Sequence, residues 1–226
     1  MFLLIFFVFF TVILCVFFWP FFRKLREEEY RQWFSGWITK LGIKGVLILL
    51  GMQMLQIVVA VIPGGPVELL AGAAYGCPGG LAICLTGCAA ATTLIFFLVK
   101  KFGSPFVDLF FSRKKIKKYA FLKDTRRLSL VVFVLFLIPG TPKDILTYVF
   151  SLSDIGFARF VLISCLARTP AIFSSTLMGA SVIEGRWRLL LLIFLLIAAT
   201  GLLGLLFGGR IIAFFRDKKQ TQKEEA

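Results

Sequence analysis

Two helix-breaking motifs interrupt long apolar stretches of the chain and constrain its fold more than any other feature. The pattern P-G-x-P-x-acid occurs as Pro63-Gly64-Gly65-Pro66-Val67-Glu68 and again as Pro139-Gly140-Thr141-Pro142-Lys143-Asp144. Lipid cannot hydrogen-bond an interrupted backbone, so such a break survives in a membrane only where protein or a water-filled cavity covers it. A carboxylate at that depth is costly and marks a candidate functional site. The doubled motif therefore predicts a transporter-like site built from two broken helical hairpins.

The composition places the chain in a lipid bilayer. Of its 226 residues, 59% are hydrophobic and 27 are Phe, and the mean hydropathy is +0.91. This composition excludes an ordinary soluble domain and predicts an all-α, polytopic integral membrane protein. The net charge of +14 belongs to short segments between the apolar runs, which is typical of cytoplasmic loops and of contact with anionic lipids. We expect no nucleic-acid partner, because no segment combines basic residues with interleaved aromatics convincingly.

Catalytic and metal-binding residue sets are missing from the sequence. The chain contains no His, which is the usual zinc ligand and the usual general base near neutral pH. Its five cysteines form no C-x-x-C pair and read as small buried hydrophobes. We therefore expect neither enzymatic activity nor a bound metal or cofactor.

The apolar and charged segments predict about four full spans and two re-entrant hairpins, and the full spans include residues 79–99, 157–180 and 189–209. The first unit is an N-terminal transmembrane anchor, and the second is an amphipathic segment in which Trp33 and Trp37 share a helical face suited to the headgroup plane. A plain polar connector is the alternative for that second segment. The predicted units are residues 1–19 (anchor), 20–44 (amphipathic segment), 45–185 (core, with hairpins at 45–76 and 128–150) and 186–226 (last transmembrane helix and basic cytoplasmic tail).

Charge bias indicates the topology of the second hairpin. The loop at 100–127 and the tail after Arg210 are both basic, so both are expected on the cytoplasmic side of a plasma membrane. That is possible only if 128–150 enters the membrane and returns on the same side. For 45–76 two arrangements stay open: charge favours a full crossing by 45–62, whereas repeat symmetry favours a hairpin that enters from the opposite face. We prefer the opposed hairpins.

Three sequence blocks resemble the TVP/TMEM-type membrane proteins of the DedA/VTT-domain superfamily, also called SNARE-associated, in their bacterial form. The first is Glu68…Gly72…Tyr75-Gly76…Gly79-Gly80, the second is Pro139-Gly-Thr-Pro-Lys-Asp-Ile-Leu-Thr-Tyr148, and the third is Ala167-Arg168-Thr-Pro170…Ser174-Ser175…Gly179. The resemblance covers roughly residues 40–185. It implies two opposed re-entrant hairpins and translocation of phospholipids or polyprenyl phosphates between leaflets, in some members with dependence on the proton motive force. Many members carry Arg three residues before the first Pro of the second hairpin, but this chain has Phe136 there, so the phosphate-binding role of that Arg does not carry over.

The remaining charged residues supply candidates for a lipid or proton pathway. Arg168 suits bidentate phosphate contacts, with Lys143 as a point-charge partner, and Glu68 and Asp144 are the candidate proton carriers. The structural alternative is that buried ion pairs, Glu68–Arg168 or Asp144–Lys143, merely hold the hairpins in place.

The sequence thus favours a scramblase-like or flippase-like protein that moves phospholipid or undecaprenyl phosphate. Its partners would be membrane lipids with anionic headgroups, and self-association stays open. Two alternatives remain: a proton- or ion-coupled transporter of a small solute, and a membrane scaffold that transports nothing.

Overall fold

The computed structural model describes residues 27–60, 62–110, 125–137, 141, 143–196 and 199, and within these residues it contains helices and no strand. The described helices are α1 (Glu28–Val59), α2 (Gly65–Phe102), α3 (Ser104–Phe110), α4 (Thr125–Leu137), α5 (Lys143–Ser151), α6 (Phe157–Ile183) and α7 (Trp187–Leu196). The predicted anchor at 1–19, the basic tail, and Pro139, Gly140 and Pro142 lie outside the described residues.

Three helices are long and apolar enough to cross a membrane: Lys40–Val59, Gly65–Phe102 and Phe157–Ile183. The predictions of an all-helical chain and of a membrane protein are confirmed. Two of these helices contain the predicted spans at 79–99 and 157–180. The predicted number of full spans stays a prediction, as does the membrane-surface position of the segment at 20–44, of which the described part is helical and exposes Trp33 and Trp37.

The later part of α1 and the early part of α2 fold back on each other, and we call them the first helix pair. The backbone bends at Gly42, and Ala60 ends α1 in the left-handed conformation. The chain reverses between the end of α1 at Val59 and the start of α2 at Gly65, and a second break follows at Gly76. The Tyr75 hydroxyl donates to the Gly42 carbonyl at 2.8 Å, so the two ends of the pair meet. The returning arm at 65–75 is only about 16 Å long, about half of the hydrocarbon thickness.

The second helix pair consists of α4 and α5. As described, these helices have 13 and 9 residues, or about 20 and 14 Å, which is less than the thickness of the hydrocarbon core. The rings of Phe136 and Phe150 lie 6.2 Å apart between the two helices. Both helices pack in one core cluster with α6.

Helices α2 and α6 form the centre of the fold and run antiparallel. At one end the Phe96 ring lies 5.5 Å from the Phe157 ring. At the other end the backbones touch, because a Cβ on Gly72 would meet the Thr176 carbonyl oxygen at 2.0 Å. A small residue is therefore required at this crossing, as is typical of close helix contacts in membranes.

The two helix pairs approach the centre from opposite ends of the bundle. The open end of the first pair lies beside Gly76, where the second section of α2 begins. The open end of the second pair lies at the other end of α2, where Lys100 Nζ donates to the Ser153 carbonyl at 2.8 Å. Between these ends, the Tyr148 hydroxyl donates to the Val58 carbonyl and links the two pairs directly.

Candidate functional site

The charged residues singled out by the sequence converge where the two helix pairs face α6. Glu68 lies in the first turn of α2, Lys143 and Asp144 lie in the first turn of α5, and Arg168 lies midway along α6. Glu68 interacts electrostatically with each of the other three charged groups. The three motif blocks, far apart in sequence, therefore contribute to one cluster.

Arg168 is held by two hydrogen bonds and is almost fully buried. Its Nη1 donates to Asp144 Oδ1 at 2.7 Å, and its Nη2 donates to Thr147 Oγ1 at 3.0 Å. The side chain is 9% exposed, against 28% for Asp144. A short, charge-assisted bond in this setting fixes the position of α5 against α6. The remaining Nε atom has no hydrogen-bond partner among the described residues.

The ion pair differs from the two pairs considered from the sequence. Asp144 pairs with Arg168 and not with Lys143, and in the described part of the chain Glu68 forms no ion pair with Arg168. Helical geometry explains why Asp144 does not pair with Lys143. The two are consecutive residues in one turn, and consecutive side chains do not face each other.

Lys143 and Glu68 are consequently the less constrained charges of the cluster. Lys143 is half-buried, and no carboxylate within the described ranges lies at ion-pair distance from it. Glu68 is also half-buried, and its carboxyl group interacts with the Ser175 side chain. One cation and one acidic group therefore remain able to engage a ligand.

Phe136 completes the surroundings of Arg168. The guanidinium carbon lies 5.3 Å from the centre of the Phe136 ring, and Phe136 is fully buried. A cation above an aromatic ring is stabilised by about 1–2 kcal/mol when desolvated. Phe136, which stands where the family resemblance leads one to expect Arg, thus stabilises the guanidinium group of Arg168.

The proline breaks are only partly described. Pro63 is exposed in the turn between α1 and α2, and Pro66 lies in the first turn of α2, where proline is well tolerated.

Sequence reasoning missed several polar residues around the site. Thr147 lies one helical turn after Lys143, so the spacing within the second block already placed it near the charges. Gln53 and Gln56 are buried on α1, and the only sequence signal for them is an uncharged polar pair inside an apolar run. The cysteines predicted to be buried include Cys84 and Cys88, which are fully buried.

Comparisons with known proteins agree with the motif blocks. The family model of the VTT domain matches residues 62–181, a range that contains all four charged residues of the cluster. A curated relative from Bacillus subtilis (strain 168), "Uncharacterized protein YqeD", is 25% identical over 155 residues, which is 65% of this chain and 72% of the relative. No solved structure matches the chain significantly. The chain therefore belongs to the VTT-domain family of the DedA superfamily, as the three blocks predicted.

Proposed function

We propose that this protein moves a phosphate-bearing membrane lipid, a phospholipid or undecaprenyl phosphate, between the leaflets of the plasma membrane. The observation that carries the proposal is the charged cluster at the meeting point of two helix pairs that approach from opposite ends of the bundle. An ion that enters hydrocarbon without partners costs on the order of tens of kcal/mol. A polar cluster at mid-depth lowers that cost for a lipid headgroup while its acyl chains stay in the bilayer.

The proposal includes a membrane arrangement in which both helix pairs are re-entrant. The 65–75 arm and the described parts of both helices of the second pair are shorter than the hydrocarbon core, which supports two hairpins that enter from opposite faces and end near the midplane. Charge bias supports a cytoplasmic C-terminus. In this arrangement the hairpin turns expose backbone groups and helix ends to a water-filled crevice, as in other transporter folds.

The cluster divides into a fixed part and a binding part. In this proposal Arg168 and Asp144 neutralise each other and position the second hairpin. Lys143, whose ammonium has no ion-pair partner among the described residues, contacts the lipid phosphate. Glu68 faces it across the cluster and is the candidate proton carrier.

Reconstitution tests the proposal directly. Purified protein in liposomes, with fluorescent phospholipid or polyprenyl phosphate in one leaflet, is expected to equalise the label between leaflets. Lys143→Met and Glu68→Gln should slow this movement at normal protein abundance, whereas Lys143→Arg should retain part of it. Glu184→Gln is the matched control, because Glu184 belongs to an exposed ion pair with Arg186.

Three outcomes would overturn the proposal. Wild-type protein that moves neither lipid, with or without a pH gradient, excludes translocation of these lipids. Uptake of a small solute with stationary lipid would instead indicate the solute transporter. Loss of folding in every cluster variant, without a separate transport defect, would indicate the scaffold.

A further inference from the structure

Two buried amide side chains on α1 lie outside the charged cluster. Gln53 is 1% exposed and Gln56 is 4% exposed, and the Oε1 atom of each has no hydrogen-bond partner among the described residues. The two residues are three apart on one helix, so they share a face. A buried acceptor without a partner costs about 1–3 kcal/mol. Folded proteins avoid this cost with ordered water where the site is polar and roomy.

Two glycines make room for these amides. A Cβ on Gly87 would meet Gln53 Cγ at 2.8 Å, and a Cβ on Gly64 would meet Gln56 Nε2 at 2.9 Å. Any larger residue at these positions would displace the glutamines. Gly87 therefore lies against the aliphatic part of the Gln53 side chain, and Gly64, in the turn of the first helix pair, lies against the Gln56 amide. We call the row formed by the Gln53 and Gln56 side chains and Gly64 the polar strip.

The strip ends next to the acidic residue of the first motif. The backbone amide of Glu68 donates to the Gly64 carbonyl at 3.2 Å, so Glu68 lies one helical turn beyond the position where the strip stops. We propose that Gln53 and Gln56 bind ordered water and form a water path along α1 towards the Glu68 carboxyl group. Hydration of the strip is independent of lipid transport, whereas supply of protons to Glu68 through it rests on the proposed function.

Cysteine accessibility tests the hydration. In full-length protein whose native cysteines are replaced by alanine, Gln53→Cys and Gln56→Cys are each treated with a small water-soluble methanethiosulfonate. Ala91→Cys is the matched control, since Ala91 is fully buried in an apolar cluster on α2. Both test positions should react at least about tenfold faster than the control, because the reactive thiolate forms only where water is present. Equal rates would overturn the water path.

A stability measurement on otherwise native protein provides a second criterion. Gln53→Met and Gln56→Met retain the side-chain length but remove the amide. If water satisfies the amides, each variant should have an unchanged or lower midpoint of unfolding. A raised midpoint would show that the amides were dry and unsatisfied, and would overturn the proposal. Slow labelling with intact lipid movement would reject the water path alone, and fast labelling with stationary lipid would reject lipid translocation alone.

Discussion

Asp144→Asn is the sharpest test of how the cluster is held together. The substitution keeps the shape of the side chain and its acceptor for Arg168 Nη1, and it removes only the negative charge. Removing one partner of a fully buried ion pair costs about 3–5 kcal/mol, because the other charge stays buried without compensation. Asp144 is 28% exposed, and Arg168 keeps its bond to Thr147. We therefore expect a loss of about 2 kcal/mol in the free energy of unfolding, below the fully buried range.

The reciprocal substitution should cost less. Arg168→Met replaces the more deeply buried charge, 9% exposed, and leaves the partly exposed Asp144, which water can solvate. We expect a loss of about 1 kcal/mol, as for a partly screened pair. The double variant Asp144→Asn, Arg168→Met should be more stable than Asp144→Asn alone, since it leaves no buried charge unpaired.

Reversible unfolding in mixed detergent micelles, followed by circular dichroism, measures all three variants. Glu184→Gln serves as the control, because it breaks the exposed pair with Arg186, whose side chain is 63% exposed. That variant should lose less than about 1 kcal/mol. The reasoning is refuted if Asp144→Asn is as stable as the wild type, or if the double variant is the least stable of the set.

Three further substitutions and one control test the packing around the site, by the same unfolding assay and, for Gly72→Ala, by the yield of folded protein. Phe136→Leu should lose about 2 kcal/mol, from reduced burial and the lost contact with Arg168; a neutral result would exclude support of the guanidinium by the ring. Gly72→Ala should sharply reduce the yield of folded protein, whereas Gly51→Ala, with nothing within 4 Å of the added Cβ, should gain up to about 1 kcal/mol; equal effects would contradict the tight crossing. Tyr148→Phe should lose about 1 kcal/mol with its hydrogen bond between the helix pairs, and an unchanged stability would indicate that this bond contributes nothing.

The sequence predicted those features that depend on local chemistry. A Pro-Gly-Gly-Pro sequence cannot continue a helix, so the residue order alone indicates the break at Pro63, whereas the two arrangements of 45–76 stayed open. The charged residues were also identifiable, because Glu68 and Arg168 stand alone in long apolar runs. Their position in one cluster agrees with the preferred arrangement of opposed hairpins, which itself stays a prediction.

The partners within the cluster could not be predicted, because they depend on side-chain directions and helix rotation. The choice of Arg168 over Lys143 as the partner of Asp144 depends on which way α5 faces α6. Phe136 stands where the family resemblance leads one to expect Arg, and the sequence analysis did not connect that position with Arg168. The contact between these two residues was therefore not predicted. The buried amides of Gln53 and Gln56 become notable only once the glycines beside them are located.

The packing also limits where a lipid headgroup can pass. Helices α2 and α6 touch backbone to backbone at two places, since a Cβ on Gly179 would meet the Leu69 carbonyl oxygen at 2.0 Å, as at Gly72. Such contacts leave no space for a headgroup. Opening a gap between α2 and α6 would break both of these backbone contacts. The contact between the two helix pairs is different, because it includes the hydrogen bond from Tyr148 to the Val58 carbonyl and the half-buried side chains of Glu68 and Lys143. For the proposed translocation, the path therefore runs between the two hairpins, with α2 and α6 as the fixed wall behind it.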